Sequence, residues 1–428
     1  MNEAFLQYIW QHRLTEGPLA TTDGRSVLVN RTGTLNSDAG PDFFDARLVV
    51  DGIEWVGNIE IHVKASDWRL HGHSSDPSYD NVILHVVYDA NEQIETSDGR
   101  AIPTLSLKGH IPEILWNNYD ALVNPPAPID VPCAEGLLML PQFRIDSYLD
   151  RLLIERIERK IGDVRRLLDD AHGGWEQCCY WLIGRYFGGK TNAFPFELLT
   201  KVTDMRLLAR WKDNPQRVEA LLFGQAGMLD EYFDDDYPRQ LQADYHALRS
   251  GSGLMPISKH LWKYFRLRPS SFPTLRISQF AALISRSSSL FSKLLEMTDV
   301  RQIEEVFDVK ASPYWDEHYH FDKPASLRVK AVGIDFVHNI IINAWVPLLF
   351  YYGVAHSDEM LKERAISLMH QLPAEENAIV RKWQAVGVKV QDAATSQSVI
   401  QLYNEYCQER QCLRCQFGVQ VIKNSTIL

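Results

Sequence analysis

The chain has 428 residues, which is enough for two or three domains of ordinary size. Its apolar share of 45% and charged share of 23% exclude a disordered or collagen-like chain. The formal net charge of −11 gives no general attraction to nucleic acid, so such binding would need a local basic surface or metal ions that bridge to phosphate.

The N-terminal segment has neither the basic start nor the long apolar run of a secretory signal. No later run reaches the roughly 18 uninterrupted apolar residues of a spanning helix. The nearest, NIIINAWVPLLFYYGVAH, is broken by Asn343, Pro347 and Gly353. We therefore expect a cytoplasmic protein without membrane contact, whose six cysteines are reduced thiols or metal ligands. The sequence does not indicate an oligomeric state.

In the first third of the chain, the sequence pattern predicts one helix followed by a sheet. NEAFLQYIWQHRL has apolar residues at helical spacing. Five short segments rich in Val, Ile and Thr follow, with Asp-Gly pairs at 23–24, 51–52 and 98–99 that favour tight turns. We predict an α+β domain over residues 1–123, with an N-terminal helix and a small, mostly antiparallel sheet.

In the rest of the chain, the sequence pattern predicts helices. NPPAPIDVP, residues 124–132, holds four prolines and indicates a linker. Beyond it, IDSYLDRLLIERIERKIGDVRRLLDD is typical of a long amphipathic helix, and at least five further segments share its period. We predict a larger all-α domain over residues 133–428.

Two carboxylates on neighbouring strands make the first candidate site. Asp42 follows the turn residues Gly40-Pro41, and a hairpin would bring Glu60 beside it. Such a pair suits Mg²⁺ or Mn²⁺. His62 follows on the same strand face as Glu60 and could orient or deprotonate a water, and Lys64 is the next residue on that face.

These residues resemble the PD-(D/E)xK nuclease superfamily over about the first 120 residues, with Pro41-Asp42 and Glu60-Ile61-His62 as the two motif elements. The resemblance implies a restriction-endonuclease-like fold and metal-dependent hydrolysis of nucleic-acid phosphodiesters. It also implies that Asp42 and Glu60 bind the metal, with His62 in the place of the usual lysine. The same alternation is typical of a sheet with one solvated face. The alternative is a non-catalytic, metal-stabilised scaffold or interaction protein with a degenerate nuclease-like domain.

Further imidazoles follow Glu60 closely. His71 and His73, in a polar loop with nearby acids, could bind Zn²⁺ or Mn²⁺. His85 lies in the apolar run NVILHVV and is expected to be a hydrogen-bonded core residue, and Trp68 is expected to pack.

Three cysteines near the end of the chain suggest a second metal site. Cys407, Cys412 and Cys415 have the spacing C-x4-C-x2-C, and a metal centre would need a fourth ligand, for which Cys133 is the candidate. Zn²⁺ or an iron–sulfur cluster would fit, and the alternative is plain reduced thiols. The arrangement is similar in outline to an iron–sulfur staple in some nucleases of the superfamily named above, with different spacing.

One basic window stands out in this acidic chain. SKHLWKYFRLRPSSFPTLRISQ interleaves aromatic residues with Lys263, Arg266, Arg268 and Arg276, and could contact nucleic acid. The alternative is that its aromatics are core residues and its cations are solvated.

Long runs resemble, over nearly the full length, a bacterial family catalogued only as domain of unknown function 2851. These runs include GPDFFDARL, GNIEIHVKASDW, HGHSSDPSYDNVILHVV, GGKTNAFPFELL, FRLRPSSFPTLRISQ and the cysteine tail. That resemblance implies no activity.

Overall fold

The computed structural model describes residues 1–126, 129–250, 253–287 and 289–423, and these form two compact units. Unit 1 comprises residues 1–148, 385–387 and the chain from 402 onward, and unit 2 comprises 149–384 and 388–401. This division differs from the predicted boundary at the proline-rich segment, of which residues 127 and 128 lie outside the described residues. The cysteine-bearing end of the chain belongs to the unit that holds the sheet.

The first part of unit 1 holds the predicted helix and sheet. In chain order its elements are α1 (Glu3–Gln11), β1 (Leu19–Ala20), β2 (Ser26–Arg31), β3 (Thr34–Leu35), β4 (Phe43–Val50), β5 (Ile53–Lys64), α2 (Asp67–Leu70), β6 (Val82–Asp89), β7 (Thr104–Ser106), α3 (Glu113–Val123) and α4 (Ala134–Leu137), after which α5 (Gln142–Asp170) begins. The coarse prediction of a helix, a sheet and then a larger helical part is confirmed.

The seven strands form one mixed sheet. Its order is β1-β2-β4-β5-β6-β7, with β3 paired to β4. All pairs up to β4–β5 are antiparallel, and the Asp51-Gly52 turn joins β4 to β5 with both residues at positive φ. The β5–β6 and β6–β7 pairs are parallel, which the sequence analysis did not predict. The apolar run of β6 is typical of a parallel strand buried on both faces.

The parallel pair determines where the loop histidines lie. A parallel connection must cross over from one end of the sheet to the other. Here residues 65–81 make the crossing through α2 and the 3₁₀ turns His73–Ser75 and Pro77–Tyr79. Trp68 anchors this segment, because its buried indole donates a hydrogen bond to the carbonyl oxygen of Glu95 at 3.1 Å.

Helix α1 packs on β5. Its apolar residues Phe5, Leu6, Ile9 and Trp10 are buried, as their helical spacing predicts. The Asn2 side chain caps the helix by accepting a hydrogen bond from the Phe5 N–H.

Unit 2 is helical apart from one small strand pair. Its elements are the remainder of α5, then α6 (Trp175–Phe187), α7 (Gly189–Val202), α8 (Met205–Arg210), α9 (Pro215–Gln225), α10 (Asp236–Arg249), α11 (Pro273–Arg286), α12 (Leu290–Leu295), α13 (Val300–Phe307), β8 (His318–His320), β9 (Lys323–Pro324), α14 (Ile334–Ile340), α15 (Val346–Ala355), α16 (Glu359–Gln371), α17 (Ala378–Ala385) and α18 (Ala393–Leu402). Cys178 and Cys179 are buried core residues of α6.

The continuous helical stretch Ile334–Ala355 joins α14 to α15 through the π-helical turn Ile341–Trp345. By length and composition alone it could cross a membrane, but 61% of its apolar window is buried inside the protein. That burial is expected of a core helix.

The chain returns to unit 1 after α18. A π-helical turn, Tyr403–Cys407, leads to the last described helix, α19 (Gln416–Lys423). Helix α19 packs on α3, where the Asn118 amide donates to the carbonyl oxygens of Val421 and Ile422.

Candidate metal centre on the mixed sheet

The β4–β5 pairing brings the two predicted carboxylates together. Phe43 pairs with Ile59, so Asp42 and Glu60 are the next residues on the two strands. The Asp42 N–H donates to Glu60 Oε2 at 3.0 Å, and the Ile61 N–H donates to Asp42 Oδ2 at 2.9 Å. Each carboxylate is therefore held by the backbone of the opposite strand.

Two imidazoles lie beside the remaining oxygen of Glu60, and a third lies beside one of them. Glu60 Oε1 lies 3.4 Å from His62 Nε2 and 3.3 Å from His73 Nε2. His62 Nε2 lies 3.0 Å from His71 Nδ1. The ligand atoms of the three histidines all lie within 4.8 Å of one another. We call Glu60, His62, His71 and His73 the Glu60 cluster.

These separations fit a first-row transition metal. Four ligands at about 2.0–2.1 Å in a tetrahedron lie roughly 3.3–3.4 Å apart. Three of the six separations in the Glu60 cluster, from Glu60 Oε1 to His62 and His73 and from His62 to His71, are 3.0 to 3.4 Å and agree with that edge length. His73 Nε2 is also buried without a hydrogen-bond partner, as a ligand atom would be before a metal binds.

The Glu60 cluster is largely enclosed. Glu60, His62 and His73 are 5%, 1% and 8% exposed, and His71 is the exposed member. The His73 ring stacks on Tyr79 at 3.7 Å between centroids, and the edge of Trp68 closes another side. Access from solvent therefore lies on the His71 side.

His85 orients His62 from behind. Its Nε2 lies 2.8 Å from His62 Nδ1, and its ring is fully buried. If His62 uses Nε2 as a ligand atom, its Nδ1 carries the proton and donates to His85. Such partners fix the tautomer and the direction of a ligating imidazole.

Burial keeps the imidazoles of His62 and His85 neutral. Desolvation, followed by the neighbouring His71 and His73, lowers the pKa of His62 to about 3. Desolvation, with smaller contributions from His62 and His73, holds the pKa of His85 well below its usual range. Because neutral imidazole is the form that binds metals, both rings are in the right state at neutral pH.

Asp42 is the most perturbed carboxyl of the site. Desolvation, and next the charge of Glu60, raise its pKa to about 7, although hydrogen bonds from Gln7 and Ile61 act in the opposite direction. Desolvation likewise raises the pKa of Glu3, whose charge interacts with His71, Asp67 and Glu60. Three carboxyls, Glu3, Asp42 and Glu60, therefore lie within electrostatic reach of one another beside the imidazoles.

Some of the predicted site residues come together in the structure and others do not. Glu60, His62, His71 and His73 meet, and Asp42 lies beside them with its two oxygens bonded to Gln7 and Ile61. Desolvation lowers the pKa of His62 to about 3, so its imidazole is a weak base in this position. Lys64 is exposed at the end of β5, outside the group.

Some residues of the site had no signal in the sequence. Glu3 and Gln7 come from α1, where their spacing of four places them on one helix side. His85 was predicted to be a core residue, which is confirmed, but its bond to His62 depends on the parallel register of β5 and β6.

The four predicted cysteine ligands also meet, within unit 1. Cys133, Cys407, Cys412 and Cys415 line one small cavity, and no described cysteine forms a disulfide.

The basic window lies in unit 2 and is only partly a surface. Lys263, Arg266 and Arg268 are exposed. Arg276 is 9% exposed, its guanidinium lies 3.6 Å from the ring centre of Phe336, and it donates to Gln279 Oε1. The prediction that Arg276 contacts nucleic acid is therefore wrong, because the residue belongs to the core side of α11.

Comparison with known proteins gives a family and no activity. A family model described as "Protein of unknown function (DUF2851)" matches residues 3–378, a range that includes the Glu60 cluster and Cys133 and ends before the three C-terminal cysteines. Searches of curated proteins and of solved structures each return no match. Because the match spans most of the chain, this protein belongs to the DUF2851 family.

Proposed function

We propose that this protein is a metal-dependent hydrolase of nucleic-acid phosphodiesters. The observation that carries the proposal is the convergence of ligand nitrogens from His62, His71 and His73, with Glu60 Oε1 3.4 and 3.3 Å from two of them and Asp42 beside Glu60. The choice of a phosphodiester substrate rests on the resemblance of Asp42 and the Glu60–His62 segment to the PD-(D/E)xK nucleases. The same resemblance supports a restriction-endonuclease-like fold for the sheet.

The ligand set indicates which metal to expect. Mg²⁺ prefers oxygen ligands, whereas three imidazoles with one carboxylate suit Mn²⁺ or Zn²⁺. The nitrogen-rich Glu60 cluster therefore favours Mn²⁺ or Zn²⁺ over Mg²⁺. A divalent cation held there would supply positive charge for phosphate oxygens and make an attacking water more acidic.

The protein's own residues have separate tasks in this proposal. Glu60 and the imidazoles hold the cation, and His85 keeps His62 in the ligating tautomer. Asp42 can take or release a proton near neutral pH, since its pKa is about 7. Gln7 fixes the orientation of Asp42 through a hydrogen bond of 2.8 Å to Oδ1.

Exposed cations of the basic window would contact the substrate. Lys263, Arg266 and Arg268 are the exposed cations that we assign to phosphate contact.

The proposal also includes a cellular location. Six described cysteines that form no disulfide favour a reducing, cytoplasmic location.

A second candidate is a non-catalytic protein in which the same metal stabilises unit 1. The observation that favours it is burial, because structural metal sites are closed whereas catalytic sites keep an open position. Only His71 among the members of the Glu60 cluster is exposed.

A cleavage assay separates the two candidates. Purified protein, first freed of metal and then supplied with Mn²⁺, Zn²⁺ or Mg²⁺, is incubated with single- and double-stranded DNA and RNA. We expect cleavage with Mn²⁺ or Zn²⁺ and a loss of at least about 100-fold in Glu60→Gln and His73→Ala. His246→Ala, which changes an exposed histidine of α10, is the matched control and should retain activity.

Asp42→Asn distinguishes a proton-transfer role from metal binding. We expect it to lose activity while it still binds the metal. If wild-type protein binds Mn²⁺ or Zn²⁺ and cleaves none of the four substrates, the hydrolase proposal is wrong and the structural metal site stands.

A further inference from the structure

Four thiols from distant parts of the chain meet in unit 1. Cys133 lies at the N-terminus of α4, and Cys407 ends the π-helical turn that follows α18. Cys412 and Cys415 lie between that turn and α19. All four line the same small cavity, so the fold gathers ligands that the sequence separates widely.

The thiols are mostly removed from water and close to one another. Cys133 and Cys415 are 8% and 5% exposed, and Cys407 and Cys412 are partly exposed. Burial raises the pKa of Cys133, with further contributions from Cys415, Cys407 and Cys412, which line the same cavity. The cation that faces them is Arg410.

The backbone around Cys412 has two unusual features, a close approach of α19 and a residue at positive φ. A Cβ on Gly418 would lie 2.3 Å from the Cys412 carbonyl oxygen, so α19 approaches this turn more closely than any other residue would allow. Arg410 also adopts a positive φ, of 51°. The turn between Cys407 and Cys415 is thus held in one shape that directs its thiols towards Cys133. π-Helical turns such as Tyr403–Cys407 are frequent at functional sites.

We propose that Cys133, Cys407, Cys412 and Cys415 bind a thiolate-ligated metal centre, an iron–sulfur cluster or zinc, that fastens the C-terminal segment to the rest of unit 1. Four thiolates complete the ligand set of either centre, and soft sulfur ligands select these metals. This site is separate from the Glu60 cluster and does not depend on the proposed hydrolase activity.

Four thiolates suit either centre. Zinc would hold its four sulfurs about 3.8 Å apart, since each bond is near 2.3 Å. In a [4Fe–4S] cluster each cysteine binds a different iron. Metal content and visible absorption distinguish the two centres.

The test measures metal and sulfide in full-length protein purified without oxygen. We expect roughly four irons and four acid-labile sulfides per chain with broad visible absorption for a cluster, or about one zinc without colour. Cys133→Ser, Cys407→Ser and Cys412→Ser should each lose most of this metal. Cys178→Ala and Cys179→Ala, which remove thiols of α6, are the matched controls and should keep it.

Thiol alkylation gives a second readout on wild-type protein, which needs no variant to fold. The four thiols should be protected while metal is present and become reactive when it is extracted, whereas reactivity at Cys178 and Cys179 should not change. Gly418→Ala, which displaces the Cys412 turn, should weaken metal retention with all thiols intact. Full metal content in Cys133→Ser and Cys412→Ser, or wild-type protein that neither contains nor takes up iron or zinc at these thiols, would overturn the proposal.

Discussion

The two units each bury a glutamate, and the two glutamates have opposite surroundings. In unit 2, Glu197 accepts from both Nη atoms of Arg166 at 2.8 and 3.1 Å, from Arg185 at 2.7 Å, and lies 3.0 Å from Lys201. These partners lower its pKa to about 2 despite the opposing effect of burial. The protein itself neutralises this carboxylate.

Glu60, in unit 1, has different partners. His62 and His73 lie 3.4 and 3.3 Å from its Oε1, and the neighbouring carboxyl, Asp42, has a pKa raised to about 7. A buried carboxylate is costly unless a positive charge offsets it. Glu197 thus belongs to an ion-pair network within the protein, whereas we propose that the Glu60 cluster takes its positive charge from a bound metal ion.

The largest expected effect is on stability in unit 2. Glu197→Gln should lower the free energy of unfolding by about 3 kcal/mol, because it removes the buried carboxylate that Arg166, Arg185 and Lys201 share. Denaturant unfolding followed by fluorescence measures this. Metal binding at the Glu60 cluster should not change, and a loss of metal affinity in Glu197→Gln would break the comparison.

Metal should stabilise unit 1 through the Glu60 cluster. Adding Mn²⁺ to metal-free protein at about 100 times its dissociation constant should raise the free energy of unfolding by about 2.7 kcal/mol. Glu60→Gln should abolish this gain, and Glu197→Gln should retain it. An equal gain in Glu60→Gln would show that the metal binds elsewhere.

Replacing His85, which lies behind the Glu60 cluster, should lower metal affinity less than replacing a ligand does. His85→Leu removes the partner that orients His62, and we expect metal affinity to fall by roughly 10- to 100-fold. Isothermal titration of metal-free protein measures the change. If affinity is unaltered, the bond between His62 and His85 has only a packing role.

The smallest expected effect is a pH dependence. The folded-state pKa of Glu197 is depressed from 4.5 to about 2, so its contribution is full above pH 4.5 and is lost as pH falls towards 2. Between pH 7 and pH 4, wild-type protein should lose about 1 kcal/mol more of its unfolding free energy than Glu197→Gln does. A difference between the two proteins that does not vary with pH would contradict the pKa of Glu197.

The local parts of the fold could be predicted from the sequence. The Asp51-Gly52 turn and the alternation on either side of it predict the β4–β5 hairpin, and the hairpin alone brings Asp42 to Glu60. The spacing of apolar residues likewise predicts α1 and the helical unit. These features depend on neighbouring residues and on a period of two or 3.6.

The non-local parts could not be predicted. A parallel β6 leaves no mark except an apolar run, which a buried helix or an antiparallel core strand could also produce. The bond between His62 and His85, and the side chains that α1 supplies, both depend on that tertiary packing. Arg276 looked like a surface cation because its charge was visible in the sequence and its stacking on Phe336 was not.

The division of the chain has a consequence for how it folds during synthesis. Unit 1 needs α19, which is translated after all of unit 2. Domains usually form in the order in which they leave the ribosome. Here the sheet is synthesised first, but α19 can dock on α3 only after the helical unit has been synthesised. Unit 1 therefore begins to form before unit 2 and is completed after it.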